Sequence, residues 1–219
     1  MVMPSLPTQE QCLGYFEQYV VPKNIQAHCQ AVQAVSVLLA ERLKETGVKI
    51  DVEFIRPLSI LHDLFKAAAL KELNSNHKYH PYSYSAKEIA MWKELRAKYP
   101  GLHEGEIAYE VFKGVYPKLA QSLKNVSALG VHTSSKTLEE NLVHYIDWRV
   151  LKTDIITLHD RLVYLREMYP QAKLRHEEEQ EILDFEKELF SQLPFTPQDL
   201  KPEFEKQYMA NNKNHPRTN

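Results

Sequence analysis

Glycine is scarce in this chain, with six residues among 219, and alternating β-branched runs are few. Both argue against a large sheet and its many tight hairpins. Cysteine is scarcer still. Cys12 and Cys29 stand outside any CxxC pair and are too few for a disulfide framework, which points to a reducing compartment. No uninterrupted apolar run approaches the roughly 20 residues that cross a bilayer. The opening MVMPSLPTQEQC lacks the basic and apolar regions of a secretory signal, so a cytoplasmic protein away from membranes is the expectation. Neither sign of charge dominates. A formal net charge of −2 gives no overall pull toward duplex nucleic acid or anionic lipid, and a local basic patch around a phosphate is compatible with it.

What is present is helical periodicity. From Asn24 to Lys44, the residues Ile25, His28, Val32, Val35, Leu39 and Leu43 recur at steps of three and four, which makes one inward stripe. From Asp51 to Lys71, Phe54, Leu58, Leu61, His62 and Phe65 do the same. The stretch NSNHKYHPYSYS reads as a loop around Pro81, and Ala86 to Tyr99 as a helix closed by Pro100-Gly101. His103 opens another helix, Pro117 the next, and Thr137-Leu138-Glu139-Glu140 has the form of a capping box. Helix is expected to continue through Tyr169 and again from Pro170 to Leu193, with a mobile tail from Pro194. The predicted fold is an all-α bundle of about seven or eight helices. It divides into an N-terminal extension (1–23), a main domain (24–170), a C-terminal helical extension (171–193) and a tail (194–219).

The adjacent pair His62-Asp63 carries the chemistry, because His28 precedes it and His103, His132 and Asp147 follow. An imidazole beside a carboxylate can hold a hard or borderline metal, and the carboxylate has a second oxygen for a neighbouring ion. A lone histidine on an apolar helix face is usually a hydrogen-bonded core residue. Two carboxylates beside inward stripes are harder to dismiss, since burying them unpaired is costly. Paired metals in an open pocket activate water against phosphate esters.

In this order the six residues resemble the HD-domain metal-dependent phosphohydrolases, in their six-ligand, dinuclear variant. The likeness covers Asn24 to Tyr169, with His28 in NIQAHCQAV, His62-Asp63 and Lys66 in LHDLFK, His103 in GLHEGEIAYEVF, His132 in ALGVHTSSKT and Asp147 in VHYIDWRV. Phe65 stands where many members have glycine, and the glycine-tyrosine-proline motif of the cyclic di-GMP enzymes is absent. The resemblance implies an HD-domain bundle holding two divalent ions of iron, manganese, zinc, cobalt or nickel. His28, His62 and Asp147 would bind one ion, His103 and His132 the other, and Asp63 would bridge them. A hydroxide between the ions would attack phosphorus in a nucleotide, a dinucleotide or another small phosphate ester, dinucleoside polyphosphates included. Asp63 and Lys66 would be catalytic. Lys66, Lys136 and Arg149 are phosphate-binding candidates, although Arg149 could equally pair with a carboxylate, and Glu104 would support a ligand histidine. Tyr79, Tyr82, Tyr84 and Trp148 could stack a base, Trp148 being better suited to packing in the bundle. The second pair, His159-Asp160, follows the whole set and is not assigned to metal, nor are His77, His80, His144, His176 or Cys29. A di-iron oxygenase on the same fold and a non-catalytic regulatory module are the alternatives.

Overall fold

The computed structural model describes residues 6–70, 72–73, 82–127, 136–168 and 176–214. Among them are eleven α-helices, one 3-10 turn and a single two-stranded sheet. The all-α expectation holds, with more helices than periodicity alone suggests. The surplus comes from short helices and from the two ends of the chain. Helix α1 (Gln9–Gln18) is opened by a reciprocal capping box between Thr8 and Gln11, and it buries Cys12 and Phe16 in the common core. No helix among the described residues is long and apolar enough to cross a membrane.

Helix α2 (Lys23–Glu45) is the longest, and its stripe of Val32, Val35, Leu39 and Leu43 is fully buried. Helix α3 (Val52–Leu61) is capped by Asp51, whose carboxylate accepts from the Phe54 N–H. The periodicity predicts helix on to Lys71, but α3 stops at Leu61. Residues 62–65 instead form a turn with i→i+3 bonds, Leu64 N–H to Leu61 and Lys66 N–H to Asp63. The four-residue α4 (Lys66–Ala69) follows. At about three residues per turn, positions i and i+3 eclipse, so Asp63 and Lys66 come to the same side.

After α5 (Ala86–Lys98), helices α6 (Glu104–Phe112) and α7 (Pro117–Ser127) pack intimately on each other. Gly105 makes this possible. A β-carbon built there would lie 1.7 Å from Ser127 Oγ, 3.0 Å from Ser127 Cβ and 3.1 Å from the Leu123 carbonyl oxygen. Gly105→Ala should therefore destabilise the protein by about 1–3 kcal/mol through overpacking, read as a lowered thermal midpoint. Adding Ser127→Ala should recover only part of the loss, because the Leu123 carbonyl stays in the way. A Gly105→Ala protein as stable as wild type would show that the helices are not this close.

Helix α8 (Leu138–Arg149) starts at the expected Thr137–Glu140 capping box. It packs on α2, α3 and α7. Continuous helix to Tyr169 does not follow. The chain reverses through a hairpin, β1 (Val150–Leu151) and β2 (Asp154–Ile155), antiparallel with Val150 opposite Ile155 and Leu151 opposite Asp154. The intervening Lys152 takes φ 60°, a left-handed conformation that disfavours any residue but glycine. Helix α9 (Leu158–Met168) resumes afterwards.

The C-terminal segment is more ordered than the sequence suggests. Helix α10 (His176–Ser191) buries Ile182, Leu189 and Phe190 in the same core as Leu39, Leu61 and Ile146. The supposed tail forms a 3-10 turn (Pro197–Asp199) and α11 (Leu200–Asn214). Asp199 stops Thr196 by accepting from both its N–H and its hydroxyl, and Leu200 is fully buried.

Candidate metal centre

Three packed helices deliver four of the predicted ligands to one point. His28 lies in the second turn of α2, His62 and Asp63 in the turn that ends α3, and Asp147 in the last turn of α8. One ligand atom from each of the four lies within 4.8 Å of the others. The two histidines are held alike. His28 donates through Nδ1 to the Lys152 carbonyl at 2.9 Å and turns Nε2 to Asp147 Oδ1 at 2.8 Å. His62 donates through Nδ1 to the Ser59 carbonyl at 2.6 Å. Its Nε2 lies 3.5 Å from Asp147 Oδ1 and 3.8 Å from Asp63 Oδ2, buried and without a hydrogen-bond partner among the described residues. A backbone carbonyl on one ring nitrogen, fixing the tautomer and aiming the other, is how ligating histidines are usually set. An orphaned, buried Nε2 beside two carboxylates fits a cation.

The electrostatics agree. Burial opposes charge on His62, yet Asp63 and then Asp147 outweigh it and raise the imidazole to about 9. Burial likewise opposes ionisation of the two acids. Lys66 and His62 nevertheless lower Asp63, and the hydrogen bond to His28, with the His62 imidazole close by, holds Asp147 well below the usual carboxylate range. Without metal, a proton on His62 offsets part of the carboxylate charge.

A pH dependence follows from that. A folded-state pKa raised from 6.5 to about 9 contributes stability that is full below 6.5 and lost as pH rises through 9, on the order of 3 kcal/mol. Chelator-treated protein should lose thermal stability across that window, and His62→Gln should flatten the loss. Manganese binding should strengthen over the same window, because the ion competes with the proton. Metal-free protein whose midpoint is level from pH 6.5 to 9 would contradict the charged-imidazole assignment.

The remaining candidates divide. His103 caps α6 and lies outside the four-residue cluster. Its side chain is 48% exposed, with Nε2 2.9 Å from Glu104 Oε2. Lys66 reaches both Asp63 Oδ1 (3.5 Å) and Glu104 Oε1 (3.0 Å), and Asp63 first, then Glu104, drives its pKa upward. His132, His77, His80 and Tyr79 lie outside the described residues.

Arg149 is a correction. Two residues from Asp147, it points to the other side of α8. Its side chain, 3% exposed, pairs with Glu186 at 2.7 Å and also bonds Tyr145 and the carbonyls of Ile156 and Pro197. It pairs with a carboxylate to hold the helix and does not serve phosphate. Lys136 precedes the cap at the opposite end of α8 from Asp147, roughly 15 Å along the helix, and burial lowers its pKa. Its place is far from the cluster.

Trp148 packs against the core as expected. The Tyr82 hydroxyl ties the Lys23 N–H to Glu88, and Tyr82 and Tyr84 meet edge to face. His144 bonds the Val126 carbonyl. Asp160 accepts from the Thr157 hydroxyl and returns its N–H to Thr157 Oγ1 at the start of α9, a helix-capping role for the acid of the second His-Asp pair. Cys29 is fully buried, and burial followed by the charge of Asp63 keeps its thiol neutral. A cavity of about 530 Å³ bounded by Leu183, Phe190, Phe195 and Pro197 touches none of the four clustered residues.

The chain matches no protein-family model, no curated protein and no solved structure. The centre is defined by its own chemistry. Two imidazoles and two carboxylates lie close enough together to hold a metal ion. Sequence reasoning missed the Ser59 and Lys152 carbonyls that orient the histidines, because backbone acceptors leave no residue signature. The Lys66–Glu104 pair was missed too, since it joins segments 38 residues apart.

Proposed function

We propose that this protein is a metal-dependent phosphohydrolase or phosphodiesterase that cleaves a nucleotide, a dinucleotide or another small phosphate ester. The observation that carries the reading is the cluster itself: two histidines with Nδ1 tied to backbone carbonyls and Nε2 turned on two carboxylates, beside a lysine ammonium. The ordered likeness of His28, His62-Asp63, His103, His132 and Asp147 to HD-domain phosphohydrolases supports it.

A divalent ion such as iron, manganese, zinc, cobalt or nickel, held by His28, His62, Asp63 and Asp147, would supply Lewis acidity for phosphoryl oxygens and acidify water. The chain's own groups do the positioning. The Ser59 and Lys152 carbonyls hold the imidazoles in place, so little reorganisation accompanies reaction. Lys66, with its side chain 44% exposed, offers a point charge to a phosphoryl oxygen from the side of Asp63 away from the histidines.

The test is turnover by protein reconstituted with manganese or ferrous iron. The panel comprises nitrophenyl phosphate, its diester, mononucleotides and dinucleoside polyphosphates. Release of phosphate or nucleotide that stops with chelator is the expected result. Metal-loaded protein inert toward every ester would refute the reading.

A further inference from the structure

The two oxygens of Asp63 face different neighbours. Oδ2 looks to the histidines, 3.9 Å from His28 Nε2 and 3.8 Å from His62 Nε2. Oδ1 looks to Lys66 Nζ at 3.5 Å. A carboxylate that shares its oxygens between two cationic centres is the arrangement of a paired-metal site, but here one centre is an ammonium. On its far side that ammonium meets Glu104 Oε1 at 3.0 Å. Glu104 is 3% exposed. Its other oxygen, Oε2, is buried and without a hydrogen bond among the described residues, although His103 Nε2 lies 2.9 Å away.

We propose that the Lys66 ammonium occupies the second cation position of this centre. The protein then holds one divalent ion, and Asp63 Oδ1, Glu104 and His103 become ligands for a second ion once the ammonium is removed. This rests on reading the four-residue cluster as a metal centre.

Charge balance favours the arrangement. The carboxylates of Asp63, Asp147 and Glu104 are matched by one divalent ion together with one ammonium. A second divalent ion alongside Lys66 would leave two positive charges uncompensated beside the buried carboxylates of Asp63 and Glu104, and such an excess is costly. Tethering reinforces it. The i→i+3 turn at 62–65 puts Asp63 and Lys66 on the same side, so the ammonium is held at its position by the chain and needs no recruitment from solution. Glu104 explains itself in the same terms. A carboxylate this buried requires a cation, and Lys66 is bonded to it. Glu104 Oε2 and the His103 Nε2 2.9 Å from it are ligand atoms already in place for an ion that the lysine displaces.

The experiment titrates manganese into the chelator-treated full chain, following metal content and the electron spin resonance spectrum. Wild type is expected to hold one manganese per chain with an isolated-ion spectrum. Lys66→Met is expected to hold two, with the signature of exchange-coupled ions, and Lys66→Met with Glu104→Gln to return to one. Lys66→Gln serves the same purpose should the methionine variant fail to fold, as judged by circular dichroism. Two ions in wild type would overturn the proposal, as would one ion in both lysine variants; neither result touches the metal reading of the cluster. Wild type that binds no manganese would overturn the proposal and that reading together.

Discussion

Asp63→Ala is expected to lower turnover of a nitrophenyl ester by about a thousandfold or more, comparable to removing a principal electrostatic group from an active site. It should also weaken manganese binding at least about tenfold. The reason is that Asp63 serves two partners at once. Oδ2 faces the nitrogens of His28 and His62, and Oδ1 faces Lys66. Removing the carboxylate would take a proposed ligand from the ion and a partner from the ammonium in the same step.

Asp63→Asn separates charge from shape. The amide preserves the volume but brings no negative charge, so both metal affinity and turnover should remain low. The fold should survive either change. Lys66 keeps Glu104, and the α2–α3–α8 core of Leu39, Leu58, Leu61 and Ile146 does not depend on this side chain. The measurements are steady-state turnover with saturating manganese, calorimetric metal affinity and thermal midpoint. Activity within a few-fold of wild type in Asp63→Ala would remove Asp63 from the chemistry.

The sequence reveals the centre's side chains better than it reveals their setting. His28 sits on a stripe whose other members, Val32, Val35 and Leu39, are all buried, so 3.6-residue periodicity suffices to aim it inward. His62 is legible for the same reason, and Asp147 follows from the Thr137 cap that sets the phase of α8. The break after Leu61 is not legible, because no glycine or proline marks it and Phe65 and Lys66 are compatible with helix. A continuous helix would also keep Lys66 within one turn of Asp63; what the break adds is the bond from the Lys66 N–H to the Asp63 carbonyl, which fixes the turn at the site. The hairpin at 150–155 is hidden for a related reason. Its two-residue loop, Lys152-Thr153, lacks the glycine or asparagine that usually announces such a turn. Tertiary contacts hold it, and local propensity does not.

Those contacts make Arg149 the residue whose replacement should cost most in stability. Arg149→Leu is expected to destabilise the protein by about 3–5 kcal/mol, the scale for stripping one partner from a buried ion pair. The guanidinium joins four segments. It bonds Glu186 of α10 and Tyr145 of α8, the Ile156 carbonyl beyond the hairpin and the Pro197 carbonyl of the 3-10 turn. The Ile156 N–H returns a bond to the Arg149 carbonyl at 2.8 Å, which closes the base of the hairpin. At its tip, Lys152 is kept in a left-handed conformation that costs about 1–2 kcal/mol, and its carbonyl receives the His28 Nδ1–H. Arg149 thus reaches the candidate metal centre through the backbone without touching it.

Two variants separate the structural role from that coupling. Arg149→Leu combined with Glu186→Met replaces the ion pair with apolar side chains and should regain most of the stability. It should not regain the clamp on Ile156, so manganese affinity should stay about tenfold weak, as for loss of an outer hydrogen bond to a ligand histidine. Lys152→Gly, in contrast, relieves the left-handed residue while keeping its carbonyl. It should raise the thermal midpoint modestly and leave metal affinity unchanged. If the double variant recovers stability and affinity together, Arg149 acts on the fold alone and the hairpin does not orient His28.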